Sequence, residues 1–225
     1  MSSDYFSQLS GDVPFLSYPL DELLIMHRLT QEKAIELHGT GIVRDNGVAN
    51  LFVGHSGAGK STTTRLWTDI EDVEVLSDDR IIVRRDEDVA TADGRTDGSG
   101  KNVGILRLHE RSASPITHSA QNDKKYKMRM YGTPWHGEAM FASPNSAPLT
   151  RIFVLEHGHG NVITRLSPSQ AVAELFARSF VPFHRHEYVD SALVFLEELV
   201  DSVPVYRYSF EPDQRAVDKI RHFND

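Results

Sequence analysis

The sequence predicts an α/β domain in which helices pack on a mixed β-sheet, and three observations predict it. A short apolar run, Val48–Val53, leads into the glycine-rich stretch Gly54-His-Ser-Gly-Ala-Gly-Lys-Ser-Thr62, and a helix-like segment follows. Just upstream, Asp45-Asn46-Gly47 has the chemistry of a tight hairpin turn, so the apolar run pairs antiparallel with the segment before it. Beyond Arg151 strand-like and helix-like patterns alternate to the end of the chain.

The elements follow in order. Residues 1–30 read as an N-terminal extension with one short helix around Asp21–Arg28, and residues 31–225 as a single catalytic-type domain. Ala34–Leu37 and Thr40–Arg44 are β-like pieces separated by His38-Gly39. A helix runs from Lys60 to about Asp69, followed by strands at Val73–Leu76 and Ile81–Arg85. Thr91–Lys125 is rich in turn residues, and polar loops of that length inside a domain carry function or move. Strands return at Arg151–Glu156 and Val162–Leu166. Ser167-Pro168 opens a helix reaching about Ser179, with Ser as N-cap and Pro in the first turn. A second helix spans Tyr188–Asp201, then a strand Val203–Phe210 and a last helix Pro212–Phe223.

Composition removes several classes of chemistry. The 225 residues contain no cysteine, which excludes disulfides, thiolate zinc sites, iron–sulfur clusters and a cysteine nucleophile. With 24 Lys and Arg against 32 Asp and Glu the net charge is −8, which argues against nucleic acid as a partner. No apolar run is long enough to span a membrane and the N-terminus lacks a leader pattern, so a cytoplasmic protein is expected. His157/His159 and His184/His186 have no predictable third ligand and read as surface loop residues rather than zinc ligands.

The strongest signal is the loop itself. Gly54, His55, Ser56, Gly57, Ala58, Gly59, Lys60, Ser61 and Thr62 fit G-x-x-x-x-G-K-[ST] between a strand and a helix. Glycines let such a loop wrap so that backbone N–H groups point inward at phosphate oxygens, and the helix dipole adds to the attraction. ATP and Mg²⁺ are the expected ligands: Lys60 would reach the β- and γ-phosphates and the Ser61 hydroxyl would ligate the metal.

Asp78 and Asp79 stand at the end of the next strand, where a carboxylate of a nucleotide-binding fold holds the metal shell. Two carboxylates allow one to serve the metal and the other to accept a hydroxyl proton. The stretch Gly132-Thr-Pro-Trp-His-Gly-Glu138 suits a rigid loop, with His136 and Glu138 as groups that could touch an acceptor. Arg65, Arg80, Arg129 and Arg151 are the cations available to anchor an anion, Arg151 foremost.

Leu37-His38-Gly39, the loop Gly54–Ser61 and Leu76-Ser-Asp78-Asp79-Arg80 together resemble the catalytic domain of HPr kinase/phosphorylase, a relative of phosphoenolpyruvate carboxykinase. The detailed likeness covers Leu37 to Val83. It implies a P-loop HPr-kinase/carboxykinase-like mixed sheet flanked by helices, and a kinase that moves the γ-phosphate of ATP to a hydroxyl of a protein, peptide or small molecule. It implies His38 beside a catalytic Asp78–Asp79 pair, one carboxylate the base and the other in the metal shell, with Asp79 the candidate for the metal and the division of roles between the two left open, and assembly into a homo-oligomer. Thr62 stands where that family often has Glu, and the signature of the phosphorolytic reaction is not recognisable, so the chain is expected to be a short relative with an acceptor other than HPr. A non-catalytic nucleotide-responsive module and a carboxykinase-like lyase remain as alternatives.

Overall fold

The computed structural model describes residues 18–69, 73–86 and 127–223, and these belong to one compact unit. The turn-rich loop expected over Thr91–Lys125 lies outside the described residues. Among the described residues there are ten strands in one mixed sheet and five helices. No described helix is long and apolar enough to cross a membrane.

Helix α1 (Leu20–Leu29) leads into the long strand β1 (Ala34–Arg44) and, through the Asn46-Gly47 turn, into β2 (Ala49–Val53). Gly47 has φ +79°, and its N–H donates to Arg44 O at 2.8 Å, which closes the expected hairpin. Helix α2 (Lys60–Thr68) is followed by β3 (Val73–Ser77), β4 (Arg80–Arg85), β5 (Met128–Tyr131) and β6 (Ser146–Pro148). Then come β7 (Arg151–His157), β8 (Val162–Arg165), α3 (Pro168–Phe176), β9 (Ser179–Phe180), α4 (His186–Ser202), β10 (Val205–Phe210) and α5 (Gln214–Arg221).

The order across the sheet is β6-β5-β4-β1-β2-β7-β10-β8, with β3 and β9 also against β1. Strand β2 runs parallel to β7, and β7 to β10, while the remaining pairs are antiparallel. Alternation along the central strands divides the core between the two faces. Leu51, Val53, Ile152 and Val154 face α3 and α4 through Leu175, Phe195, Leu196 and Leu199. Phe52, Phe153, Tyr206 and Phe210 face Trp67 of α2 and Val217 and Ile220 of α5. Phe153 stacks between Phe52 and Tyr206 with ring centroids 5.3 and 5.6 Å away, so the apolar layer beneath α2 and α5 is largely aromatic.

Strand β1 organises everything that follows. The sequence suggests two pieces broken at His38-Gly39; the structure has one strand that changes partners there. Residues Ala34–His38 pair with β4 on one edge, and Glu36 and Leu37 with β9 on the other. Residues Gly39–Val43 pair with β2, and Gly41–Arg44 with β3. A register shift between Gly41 and Ile42 puts the extra residue on β3, and a bulge of this kind bends the chain just before Asp78 and Asp79. Gly39 is required at the changeover because a Cβ there would lie 2.8 Å from Phe52 O. Strands β5, β6 and β9 are not evident in the sequence; each has four residues or fewer and takes its identity from its neighbour in the sheet.

Candidate functional site

Four segments converge where β1 changes partners. His38 donates its backbone N–H to Arg178 O at 2.8 Å and accepts at its carbonyl from Gly54 N–H at 3.3 Å. The next residue, Gly39, donates to Asp79 O at 2.9 Å. The glycine-rich loop, the aspartate bend and the end of α3 are thus fixed around one histidine by backbone bonds. Loops leaving a sheet where strand pairing reverses or switches make a crevice, the usual place for a ligand in α/β sheets.

The loop wraps inward. Ala58 N–H donates to His55 O at 3.0 Å, and Gly57 and Gly59 have φ +79° and +100°. The N–H groups of His55, Ser56, Gly57 and Gly59 donate to no group among the described residues. Helix α2 has no side-chain N-cap, so its first-turn amides, at Lys60, Ser61 and Thr62, are likewise available. Lys60 is buried and turns its ammonium into this cradle, donating to Gly54 O at 3.0 Å and His55 O at 3.1 Å. Burial holds its pKa below the ordinary lysine value; the nearby Asp79 opposes that shift, while Arg178 and Arg80 add to it. His157, expected only as a surface residue, places Nε2 2.6 Å from Gly57 O and stacks on Phe210. That nitrogen carries the hydrogen, since a carbonyl only accepts.

Helix α2 is tied to the rest of the site by buried hydroxyls. Thr64 Oγ1 donates to Thr40 Oγ1 at 3.1 Å, and Thr40 Oγ1 donates to Ser77 O at 2.8 Å. The relay links α2, β1 and β3, so the loop and the aspartate bend share one rigid base.

The two aspartates have different surroundings. Asp78 is 2% exposed, and its carboxylate accepts from Gly137 N–H at 2.9 Å, Ala139 N–H at 2.8 Å and Phe141 N–H at 3.2 Å. Both of its oxygens are therefore committed to holding the 137–141 turn. Asp79 is a quarter exposed; its Oδ1 lies 3.0 Å from His38 Nε2 and its Oδ2 accepts from Arg80 Nη1. The His38 hydrogen bond, then the charges of Arg80, His38 and Lys60, hold the Asp79 carboxyl below the usual carboxylate range against the opposing effect of burial.

Behind Arg80 lies an acidic pair that sequence reasoning missed. Arg80 Nε donates to Glu22 of α1 and lies 3.3 Å from Glu36 Oε1 of β1. Its guanidinium covers the Phe180 ring at 4.3 Å. Glu36 is fully buried; burial and the neighbouring Glu22 push its pKa up to about 8. The alternation Ile35-Glu36-Leu37-His38 would place Glu36 on a solvent face, but β1 is buried on both faces here, so the local pattern gave no signal that it is inside.

The remaining expected residues divide cleanly. Gly137 brings the His136–Glu138 turn against the aspartates, since a Cβ on it would lie 3.3 Å from Asp79 Cβ. The side chains of His136 and Glu138 are exposed beside the bend, and Trp135 Nε1 donates to Asp21 of α1 at 3.1 Å. Arg151 is not brought to the loop. It pairs in register with Asn50 at the opposite end of β2, about 13 Å from Gly54 along the strand, and its guanidinium faces the Phe223 ring at 5.4 Å. Arg65 is exposed on α2, and Arg129 pairs with Asp86 at 3.2 Å. Among the four arginines singled out from sequence, Arg80 is the one in the site.

Among the described residues no group of three or more His, Cys, Asp or Glu side chains could by itself hold a metal ion. Among the described residues, the Ser61 hydroxyl at the start of α2 and the partly exposed Asp79 carboxylate are oxygens that could contribute to a metal shell. No protein-family model matches the chain, and no curated protein matches it. The class defined here is therefore structural: a mixed α/β protein with a glycine-rich loop, a buried lysine and an aspartate–histidine pair gathered at one strand changeover.

Proposed function

We propose that the protein is an ATP-dependent kinase that transfers the γ-phosphate to a hydroxyl acceptor. The observation that carries this reading is the position of Asp79, a partly exposed carboxylate bonded to His38 and Arg80 and within electrostatic reach of the loop lysine Lys60. Phosphoryl transfer asks a protein for positioning and charge stabilisation, and these groups supply both.

In this reading the unbonded loop and first-turn amides hold the phosphates, and Lys60 exchanges its two carbonyl partners for β- and γ-phosphate oxygens. Ser61 would hold Mg²⁺ directly and Asp79 through a bound water, which leaves the Asp79 carboxylate to act on a proton, and the ion would supply neutralisation of phosphate charge. Asp79 accepts the acceptor's hydroxyl proton as that oxygen bonds to Pγ and the Pγ–O bond to ADP breaks. His38 orients Asp79 and keeps it ionised. Asp78 acts as a positioning residue that holds the turn carrying His136 and Glu138 at the mouth, where an acceptor would lie.

The test incubates the purified chain with Mg·ATP and panels of serine peptides and small alcohols, following ADP and phosphorylated product together. Product formation that disappears in Asp79→Asn while nucleotide binding persists supports the proposal. A chain that binds no nucleotide, or whose activity survives Asp79→Asn unchanged, overturns it.

A further inference from the structure

The site contains one more cation. Arg178 follows the C-terminus of α3 and precedes β9, and its carbonyl accepts the His38 backbone N–H at 2.8 Å. Its side chain is only 6% exposed. Among the described residues its hydrogen bonds run through Nη1 to the Glu174 carbonyl at 2.7 Å and to Glu174 Oε2 at 2.5 Å. Its Nε is buried with no hydrogen-bond partner.

A buried guanidinium with an unpartnered N–H is unfavourable by itself and calls for an explanation. Glu174 does not neutralise it fully, because the same carboxylate receives Arg207 Nη2 at 2.7 Å. The charge of Arg178 is felt at Lys60, alongside that of Arg80. Lys60 itself bonds only carbonyl oxygens, not a carboxylate. These two cations, each without full counter-charge, stand on segments that the His38 backbone ties together: Arg178 O accepts from His38 N–H, and His38 O accepts from the N–H of Gly54, whose carbonyl holds Lys60 Nζ. A polyanion that enters between them removes both deficits.

We propose that Arg178 is a second phosphate ligand of this site, contacting the terminal phosphate of a nucleoside triphosphate and so distinguishing it from the diphosphate. The inference rests on the kinase reading above. The N–H donors of a guanidinium suit two oxygens of one phosphate, and a charge-assisted bond of this kind forms only when a third phosphate is present. It is broken when that phosphate leaves, which favours release of the diphosphate after transfer.

The experiment measures Mg·ATP and Mg·ADP affinities by calorimetry on the full chain and on three variants, with thermal unfolding of each. Arg178→Gln is expected to weaken ATP binding about 10- to 100-fold and ADP binding less than about 3-fold. Arg178→Lys keeps the charge and is expected to fall between, and it is read in place of Arg178→Gln should that variant not fold. Glu174→Gln removes the support but leaves the guanidinium, so it is expected to lower Tm while keeping the preference for ATP. Equal losses for both nucleotides in the Arg178 variants, no loss for either, or loss of the preference in Glu174→Gln would each overturn the assignment. A wild-type chain that binds neither nucleotide overturns the kinase reading itself, and this inference with it.

Discussion

His38 Nε2 lies 3.0 Å from Asp79 Oδ1, and the backbone of the same histidine bonds both the glycine-rich loop at Gly54 and the α3–β9 connection at Arg178. A single residue thus sets the orientation of the carboxylate and the distance between the segments around it. The position is available because β1 exchanges β4 and β9 for β2 and β3 at this point, leaving the His38 side chain beside the bend instead of under a neighbouring strand.

Replacing His38 with Ala, which has no side-chain donor, tests that coupling through pH. The His38 hydrogen bond is the largest influence that lowers the Asp79 pKa, so its loss lets that pKa rise. A base must be ionised to work, so the acid limb of kcat is expected to move to higher pH in the variant, with the plateau reduced about 10- to 100-fold. A kcat profile from pH 4 to 9 for both proteins checks this. An unmoved acid limb would show that His38 does not control the ionisation of Asp79.

The two aspartates are expected to fail differently. Asn at 78 sets an amide against three backbone N–H donors and removes a charge that accepts from all of them. Asp78→Asn should therefore lower stability by about 2–4 kcal/mol, seen as a reduced Tm and as faster proteolysis at the 137–141 turn. Asp79→Asn should leave Tm within a few degrees and reduce turnover about 10²- to 10⁴-fold. Paired Tm and rate measurements decide the matter, and a reversed pattern would move the base to Asp78.

The loop was legible in sequence because its physics is local: apolar strand, glycine turn and helix follow one another between Ala49 and Thr68. The aspartates were legible as a pair but not as individuals. What separates them is the set of N–H groups from Gly137, Ala139 and Phe141, about sixty residues later in the chain. Arg151 looked like an anion anchor because it stands beside a core strand, yet the parallel register with β2 carries it to the wrong end of the sheet. Arg178 and Glu22 gave no local signal at all. Each becomes part of the site through partners distant in sequence, His38 for one and Arg80 for the other.

Glu36 predicts a pH dependence of stability. Glu22 of α1, Arg80 of β4 and Asp79 of the bend surround it, and its pKa is raised to about 8 from 4.5. A carboxyl that holds its proton more tightly in the folded state contributes stability that is complete below the unfolded value and is lost as pH rises through about 8. Glu36→Gln resembles the protonated acid and removes that loss. The variant should match wild type near pH 4.5 and exceed it at pH 8 by on the order of 2 kcal/mol, read from denaturant midpoints across the range. A stability difference that does not change with pH would mean that Glu36 keeps the same charge folded and unfolded.

Gly59 predicts a steric and conformational limit on the loop. Its φ is +100°, a conformation that side chains rarely adopt, and a Cβ there would lie 2.5 Å from Cζ of Phe210. Phe210 is 1% exposed in the aromatic layer between the sheet and the α2 and α5 helices, so its ring has little room to retreat. Gly59→Ala should therefore cost about 1–3 kcal/mol of stability and shift the first-turn amides enough to weaken Mg·ATP binding more than about 10-fold. The two origins can be separated by adding Phe210→Leu, which relieves the contact but leaves the positive φ. The double variant should regain part of the nucleotide affinity lost in Gly59→Ala but not all of it, because the strained backbone still tilts the amides of Lys60 and Ser61. Full recovery would assign the requirement for glycine to the Phe210 ring alone, and no recovery would assign it to the backbone.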